Sequence, residues 1–151
     1  MKGDQSGAPT AAALRHNAGF LLSRIGRAAQ QAFARDLEPT GLRPAHFGVL
    51  AALEALEASS QQVLAAALRI ERSNMVALLD ELERRGLVER RPDRADRRRN
   101  EVRLTAEGLA MVGALHEIGR RRTEQLLAPI TEAERRTLVE LLQKLLPDQD
   151  S

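Results

Sequence analysis

Nine arginines stand between Arg84 and Arg103 (84, 85, 90, 91, 94, 97, 98, 99 and 103) against four acids, Glu89, Asp93, Asp96 and Glu101. This stretch carries +5 on a chain whose formal net charge is +2, which leaves −3 for everything else. Guanidinium presents a planar fork of donors suited to phosphate, so a basic patch confined to one segment is an electrostatic footprint for nucleic acid. A solvated surface run is the commoner fate of arginine-rich sequence. Two features weigh against it here: the cations are nearly all arginine, and a candidate recognition helix directly precedes them.

That helix is read from Met75, Leu78, Leu79 and Leu82, which recur on one face with nothing to break the run before Gly86. Gly86 suits a C-cap of positive φ, with Arg84 and Arg85 in the last turn, where the helix dipole favours cations. Leu87 and Val88 open an extended run that ends at Pro92. After the turn-rich PDRAD, Glu101–Leu104 alternates with Val102 and Leu104 on one face. Helix, strand, basic turn, strand is a winged helix, and its basic hairpin points at DNA. The arc opposite the leucines, Arg72, Ser73, Asn74, Val76 and Ala77, is the part that would face base edges in a major groove. Asn74 has the chemistry to pair with adenine, and Val76 or Ala77 to meet thymine methyls. Ser73 is equally an N-cap and Asn74 a first-turn solvent residue. Gln61 and Gln62, at the start of the preceding short helix, are placed to touch backbone phosphates.

The phrases LLDELERRGLVERR and DRADRRRNEVRLTAEG resemble the MarR family of winged-helix transcription regulators, and D-x-R followed by L-T-x-x-G is the specific part. The resemblance runs over essentially the whole chain. It implies a homodimer on a palindromic operator, repression as the commoner mode, and release by a small anionic aromatic effector. It also implies that the wing lies over the minor groove, with Arg98 reaching in and Asp96 bracing it, while Arg94, Arg97 and Arg99 meet phosphates. Two departures stand out. The family commonly has glycine where this chain has Arg69, and often a polar residue and arginine where Val76 and Ala77 stand.

The elements that must position these residues follow from the periodicity. A long amphipathic helix is predicted over Ala11–Leu37, broken by Glu38-Pro39-Thr40-Gly41, then a second over Ala45–Glu57 with Pro44 in its first turn. A short helix over Gln61–Leu68, capped from Ser59-Ser60, has Val63, Leu64 and Leu68 inward. Beyond the wing, Thr105 caps a helix from Ala106 to about Ala128. Thr131-x-x-Glu134 is a capping box for a last helix, with Leu138, Leu141, Leu142, Leu145 and Leu146, stopped by Pro147. The expected fold class is mainly α with a small β-hairpin wing. Residues 1–10 form a flexible tail and 11–147 one domain, with 44–105 the winged helix-turn-helix and 11–43 and 106–147 the dimerisation helices.

At 151 residues one core suffices, and with aromatics at 2% that core is built of Leu, Ala, Val and Ile. No apolar run approaches the length of a membrane span, and the first ten residues lack a signal-peptide h-region, so a cytoplasmic protein is expected. The absence of cysteine removes disulfides, thiolate zinc sites and thiol redox sensing. The three histidines, His16, His46 and His116, are scattered without ligand spacing, so no metal and no cofactor is expected. There is no G-x-S-x-G and no phosphate loop, and the only lysines are Lys2 and Lys144, so the chain reads as no enzyme. By position in the resembled fold, Arg15, His16, Phe20, Arg24, His46, Met111 and His116 are the candidates to hold an effector. Read singly, Arg15 is a solvated helix residue, Phe20 core, and His46 a first-turn residue near solvent. Two rival readings remain open: a winged-helix protein-interaction module, and a sequence-tolerant architectural DNA-binding protein.

Overall fold

The computed structural model describes residues 13–146. The expected tail, the first two residues of the expected first helix, and Pro147 lie outside that range. The long helix α1 runs Ala18–Leu37, beginning later than the apolar stripe suggested. The reason is Asn17, whose extended backbone (φ −93°, ψ 112°) and side-chain Oδ1, accepting from Phe20 N at 2.9 Å, make it the N-cap. Leu14 therefore lies in a turn ahead of the helix. After a 3-10 turn (Glu38–Thr40), α2 spans Pro44–Leu56. A two-residue strand β1, Ala58–Ser59, then precedes α3 (Gln61–Leu68) and α4 (Arg72–Arg84). The wing strands are β2 (Val88–Pro92) and β3 (Asn100–Leu104), followed by α5 (Ala106–Leu127) and α6 (Glu132–Leu145).

The sheet is antiparallel in the order β1-β3-β2, with Val88 opposite Leu104 and Pro92 opposite Asn100. The hairpin is thus anchored at its base by β1, where Ser59 pairs with Val102. Two residues carry no periodicity, which is why β1 is absent from the sequence reading. The core gathers Leu37, Leu42, Val49, Leu50, Leu53, Leu64, Met75, Leu79, Leu82, Val102, Val112 and Leu115, and it lies under the winged helix. All four leucine-face residues predicted for α4 are buried.

Two helices end in Schellman geometry. At the end of α4, Gly86 (φ 70°) donates to Glu83 O and Leu87 N donates to Leu82 O. At the end of α3 the same pattern uses Arg69 N to Ala66 O and Ile70 N to Ala65 O, with Arg69 at φ 52° and ψ 42°. The departure from glycine therefore leaves the turn intact and places a Cβ in the left-handed region, where L-residues are strained. Arg69→Gly is expected to raise folding stability by about 0.5–1 kcal/mol, read as a higher denaturant midpoint at unchanged slope. A lower midpoint would mean that the arginine side chain offsets its own backbone.

Val63, expected inward, is 53% exposed on α3, whose core side is Leu64 and Ala65, and on α5 Leu109 is 56% exposed. Helix α6 buries no residue, and Leu21, Leu22 and Ile25 of α1 are likewise exposed.

Candidate nucleic-acid interface

Helix α4 is seated by Met75, Leu78, Leu79 and Leu82, and every residue of its opposite arc, Arg72, Ser73, Asn74, Val76 and Ala77, is exposed. Ser73 sits inside the helix and is not its cap. The N-cap position is Glu71, and no side chain caps the first turn. The leading N–H groups of α4 therefore have no side-chain acceptor among the described residues, which leaves the positive end of the helix open to anions.

The wing tip is shaped by two aspartates. Asp93 Oδ1 accepts from Ala95 N at 2.8 Å, and Asp96 Oδ1 accepts from Arg98 N at 3.0 Å. Asp93 N donates to Arg99 O (2.7 Å) and Arg99 N to Asp96 O (2.9 Å), closing the turn. Asp96 thus braces the backbone of Arg98; its contact with a guanidinium is to Arg99, at 3.9 Å.

Of the nine basic residues in the stretch, six are engaged within the protein. Arg84 Nε donates to Asp80 O, and Arg85 donates to Thr40 O (2.6 Å) and Gly41 O (2.9 Å). Arg90 bridges Asp80 (2.7 Å) and Glu83 (2.5 Å) on α4. Arg91 pairs with Glu89 (2.9 Å), Arg103 with Glu101 (3.0 Å), and Arg99 weakly with Asp96. The side chains of Arg94, Arg97 and Arg98 have no hydrogen-bond or ion-pair partner among the described residues. The positive charge legible in the sequence thus narrows to the tip. The two-residue spacing of Glu89–Arg91 and Glu101–Arg103 puts each pair on one strand face and could have signalled part of this.

Between the wing and the start of α3 lies a groove of about 340 Å³ lined by Ser60, Gln61, Gln62, Arg90, Arg98, Arg99, Asn100 and Val102. Ser60 Oγ caps α3 by accepting from Val63 N at 3.2 Å. Gln61 and Gln62 are therefore brought beside Arg98, a juxtaposition of segments 36 residues apart that no local pattern foretells. Asn100 joins them unpredicted.

The effector candidates do not converge within the chain. Arg15 and His16 are exposed in the turn before α1, Phe20 and Arg24 line a shallow groove along α1, and Met111 packs against the core. His46 corrects the expectation of a residue near solvent: it is 2% exposed and fully engaged. Its Nδ1 accepts from Arg43 N at 3.0 Å and its Nε2 meets Glu81 Oε2 at 2.7 Å. His116 lies elsewhere, hydrogen-bonded to Glu54 (2.7 Å) with its ring edge-on to Phe47 at 5.2 Å. Phe47 in turn meets Phe33 edge-on at 5.5 Å. These three rings line a groove of about 500 Å³ between α1, α2 and α5, with Arg120, Arg122 and Leu126 at its margin. Among the described residues no group of three or more His, Asp or Glu could hold a metal, and no helix is long and apolar enough to cross a membrane.

A helix with an open N-terminal arc, beside a hairpin tipped with unpaired arginines, defines the winged-helix class of DNA-binding regulators. The MarR family profile matches residues 40–99. A protein of Thauera aromatica, assigned as a transcriptional regulatory protein for the hcr operon, is 34% identical over 84% of this chain and 77% of its own. Among solved structures, MarR from E. coli in its apo form superposes with a TM-score of 0.78 at 28% identity, covering 86% of this chain and 96% of that one. A cysteine-to-serine mutant of the same protein, complexed with operator DNA, gives 0.73 over 85% and 93%. CouR from Rhodococcus jostii RHA1, bound to p-coumaroyl-CoA, gives 0.73 at 33% identity over 87% and 93%. The chain belongs to the MarR family of winged-helix transcriptional regulators.

Proposed function

We propose that the protein is a cytoplasmic homodimeric repressor that binds a palindromic double-stranded DNA operator. A small anionic aromatic ligand releases it. The observation that carries the reading is the wing tip: among the described residues the side chains of Arg94, Arg97 and Arg98 have no partner, and Arg98 lines the groove that holds Gln61 and Gln62. Each subunit sets the exposed arc of α4 in a major groove. Arg98 is assigned to the adjoining minor groove, whose narrow A/T-rich form concentrates negative potential. Arg94, Arg97, Arg99, Gln61 and Gln62 meet phosphates and fix the register. Val76 and Ala77 offer apolar contact, so specificity leans on methyl groups and on DNA shape more than on hydrogen bonds to bases.

Dimerisation is supported by the apolar side chains that one chain leaves uncovered. Leu141, Leu142, Leu145 and Leu146 of the C-terminal segment and Leu21, Leu22 and Ile25 of α1 are between 37% and 68% exposed. Apolar stripes left uncovered on two helices of one chain are what an association surface requires. The division into dimerisation helices (11–43 and 106–147) and a reading unit (44–105) follows. For the effector, the Phe33, Phe47 and His116 groove has aromatic walls, and His116 could supply a donor to an anion. The structure of CouR with p-coumaroyl-CoA shows a relative holding an aromatic acyl group.

Sedimentation at micromolar concentration tests the assembly. The wild type should run as a dimer, and Leu142→Glu with Leu145→Glu should give a folded monomer whose operator affinity is at least 100-fold weaker, since two half-sites can no longer be held together. A stable folded wild-type monomer would sink the proposal.

A further inference from the structure

We propose that His46 is a positioning residue for DNA reading: through Glu81 it fixes α4 against the start of α2, and it releases that joint on protonation. The inference rests on the DNA-binding reading above.

Among the described residues His46 is the one buried polar side chain, and each of its ring nitrogens has one partner. Nδ1 accepts the Arg43 N–H at 3.0 Å, satisfying the N-cap donor at the start of α2. The proton of the neutral ring is thereby assigned to Nε2, which donates to Glu81 Oε2 at 2.7 Å. Glu81 lies one turn beyond Ala77 on α4, and both its oxygens also accept from Arg43 Nη2 at 3.2 Å. One turn further, Arg85 holds the carbonyls of Thr40 and Gly41. The reading helix is therefore tied to residues 40–46 at two points. One of them runs through a titratable imidazole and the other does not.

The charged groups facing the ring are Arg43 on its own helix start and Glu81 and Arg85 from α4. Burial holds the His46 pKa below the ordinary histidine value, against the pull of the Glu81 hydrogen bond, and Arg43 and Arg85 push the same way as burial. The added proton must go to Nδ1. There it meets the Arg43 N–H donor to donor on a ring that is 2% exposed, so the cap of α2 is lost and the ring cannot keep its seat. The sign follows. The unfolded chain takes up this proton first as pH falls below about 6.5, so the joint contributes fully above that pH and its contribution is lost as pH falls toward the folded pKa.

The test compares duplex affinity at about pH 7.5 and about pH 5.5 for the full chain and two variants, using a duplex selected at the higher pH. In His46→Gln the amide can accept from Arg43 N and donate to Glu81, yet does not titrate. The wild type and His46→Gln should bind alike at the higher pH. The wild type should be several-fold weaker than the variant at the lower one, and by less than about tenfold because burial keeps the folded pKa below the ordinary value. His16 and His116 are common to both proteins and cancel in the ratio. Glu81→Gln removes the carboxylate that favours the proton, so its acid midpoint should move to lower pH. Parallel profiles for wild type and His46→Gln, or a Glu81→Gln midpoint moved upward, would overturn the proposal. So would a folded His46→Gln protein already weak at the higher pH, since shape and not the proton would then matter. Should His46→Gln fail to fold, the Glu81→Gln midpoint decides. A wild type without duplex affinity at the higher pH counts against the DNA reading instead. The thermal midpoints of the same proteins at both pH values then test the joint.

Discussion

Gly108→Ala is expected to cost about 3 kcal/mol of folding stability, at the upper end of what overpacking usually takes. A Cβ at Gly108 would stand 1.9 Å from Leu87 O and 2.9 Å from Leu87 C, both backbone atoms. Neither can swing aside as a side chain would. Leu87 is held by its own bond to Leu82 O, and its carbonyl accepts Thr105 N at 3.1 Å. Thr105 Oγ1 donates to Gly86 O (2.6 Å) and accepts from Gly108 N (3.0 Å), so the start of α5 is clamped onto the end of α4. This is the physical content of the L-T-x-x-G phrase: threonine caps and bridges, and glycine permits the approach. For a chain of this length the loss should lower the thermal midpoint by roughly 6–12 °C. Gly48→Ala is the control, because a Cβ there meets nothing within 4 Å and α2 should gain up to about 1 kcal/mol. A loss at Gly108 below about 1 kcal/mol would show that α5 can slide, and the clamp would not set the wing.

The second large effect concerns binding. Arg98→Ala should weaken operator binding by about 1–3 kcal/mol for each subunit at near-physiological salt, with the fold and the dimer unchanged. Its side chain is free of internal partners among the described residues and faces the groove beside Gln61 and Gln62. The loss should be largest on operators with A/T-rich flanks. Arg94→Ala and Arg97→Ala should instead weaken all duplexes alike, each lowering the salt slope by about one unit. Arg91→Ala is the contrast, since Arg91 is already satisfied by Glu89. If Arg98→Ala left affinity unchanged, the wing would have no minor-groove role.

Much of this architecture is legible in local pattern. Met75, Leu78, Leu79 and Leu82 fix the face on which α4 rests, Gly86 marks its end, and Thr131 with Glu134 marks the start of α6. These signals lie within one or two turns of chain, where periodicity and capping operate. What stayed hidden depends on partners distant in sequence. Arg90 looks like part of a phosphate-binding run until Asp80 and Glu83 are seen to claim it. His46 looks like a solvent residue until Glu81, 35 positions on, closes over it. Val63 looks like core by spacing, but on an eight-residue helix a one-position rotation of the stripe moves it outside. Asn17 caps α1 inside the predicted helix span, because helical periodicity continues through it although its side chain suits a cap.

The most direct test of the account is selection of bound sequences from a random duplex pool with the purified full chain at near-physiological salt. A two-fold symmetric sequence should emerge, with half-sites about one helical turn apart, 34–36 Å centre to centre. Salt-sensitive binding with no enriched sequence, or no binding at all, would contradict it.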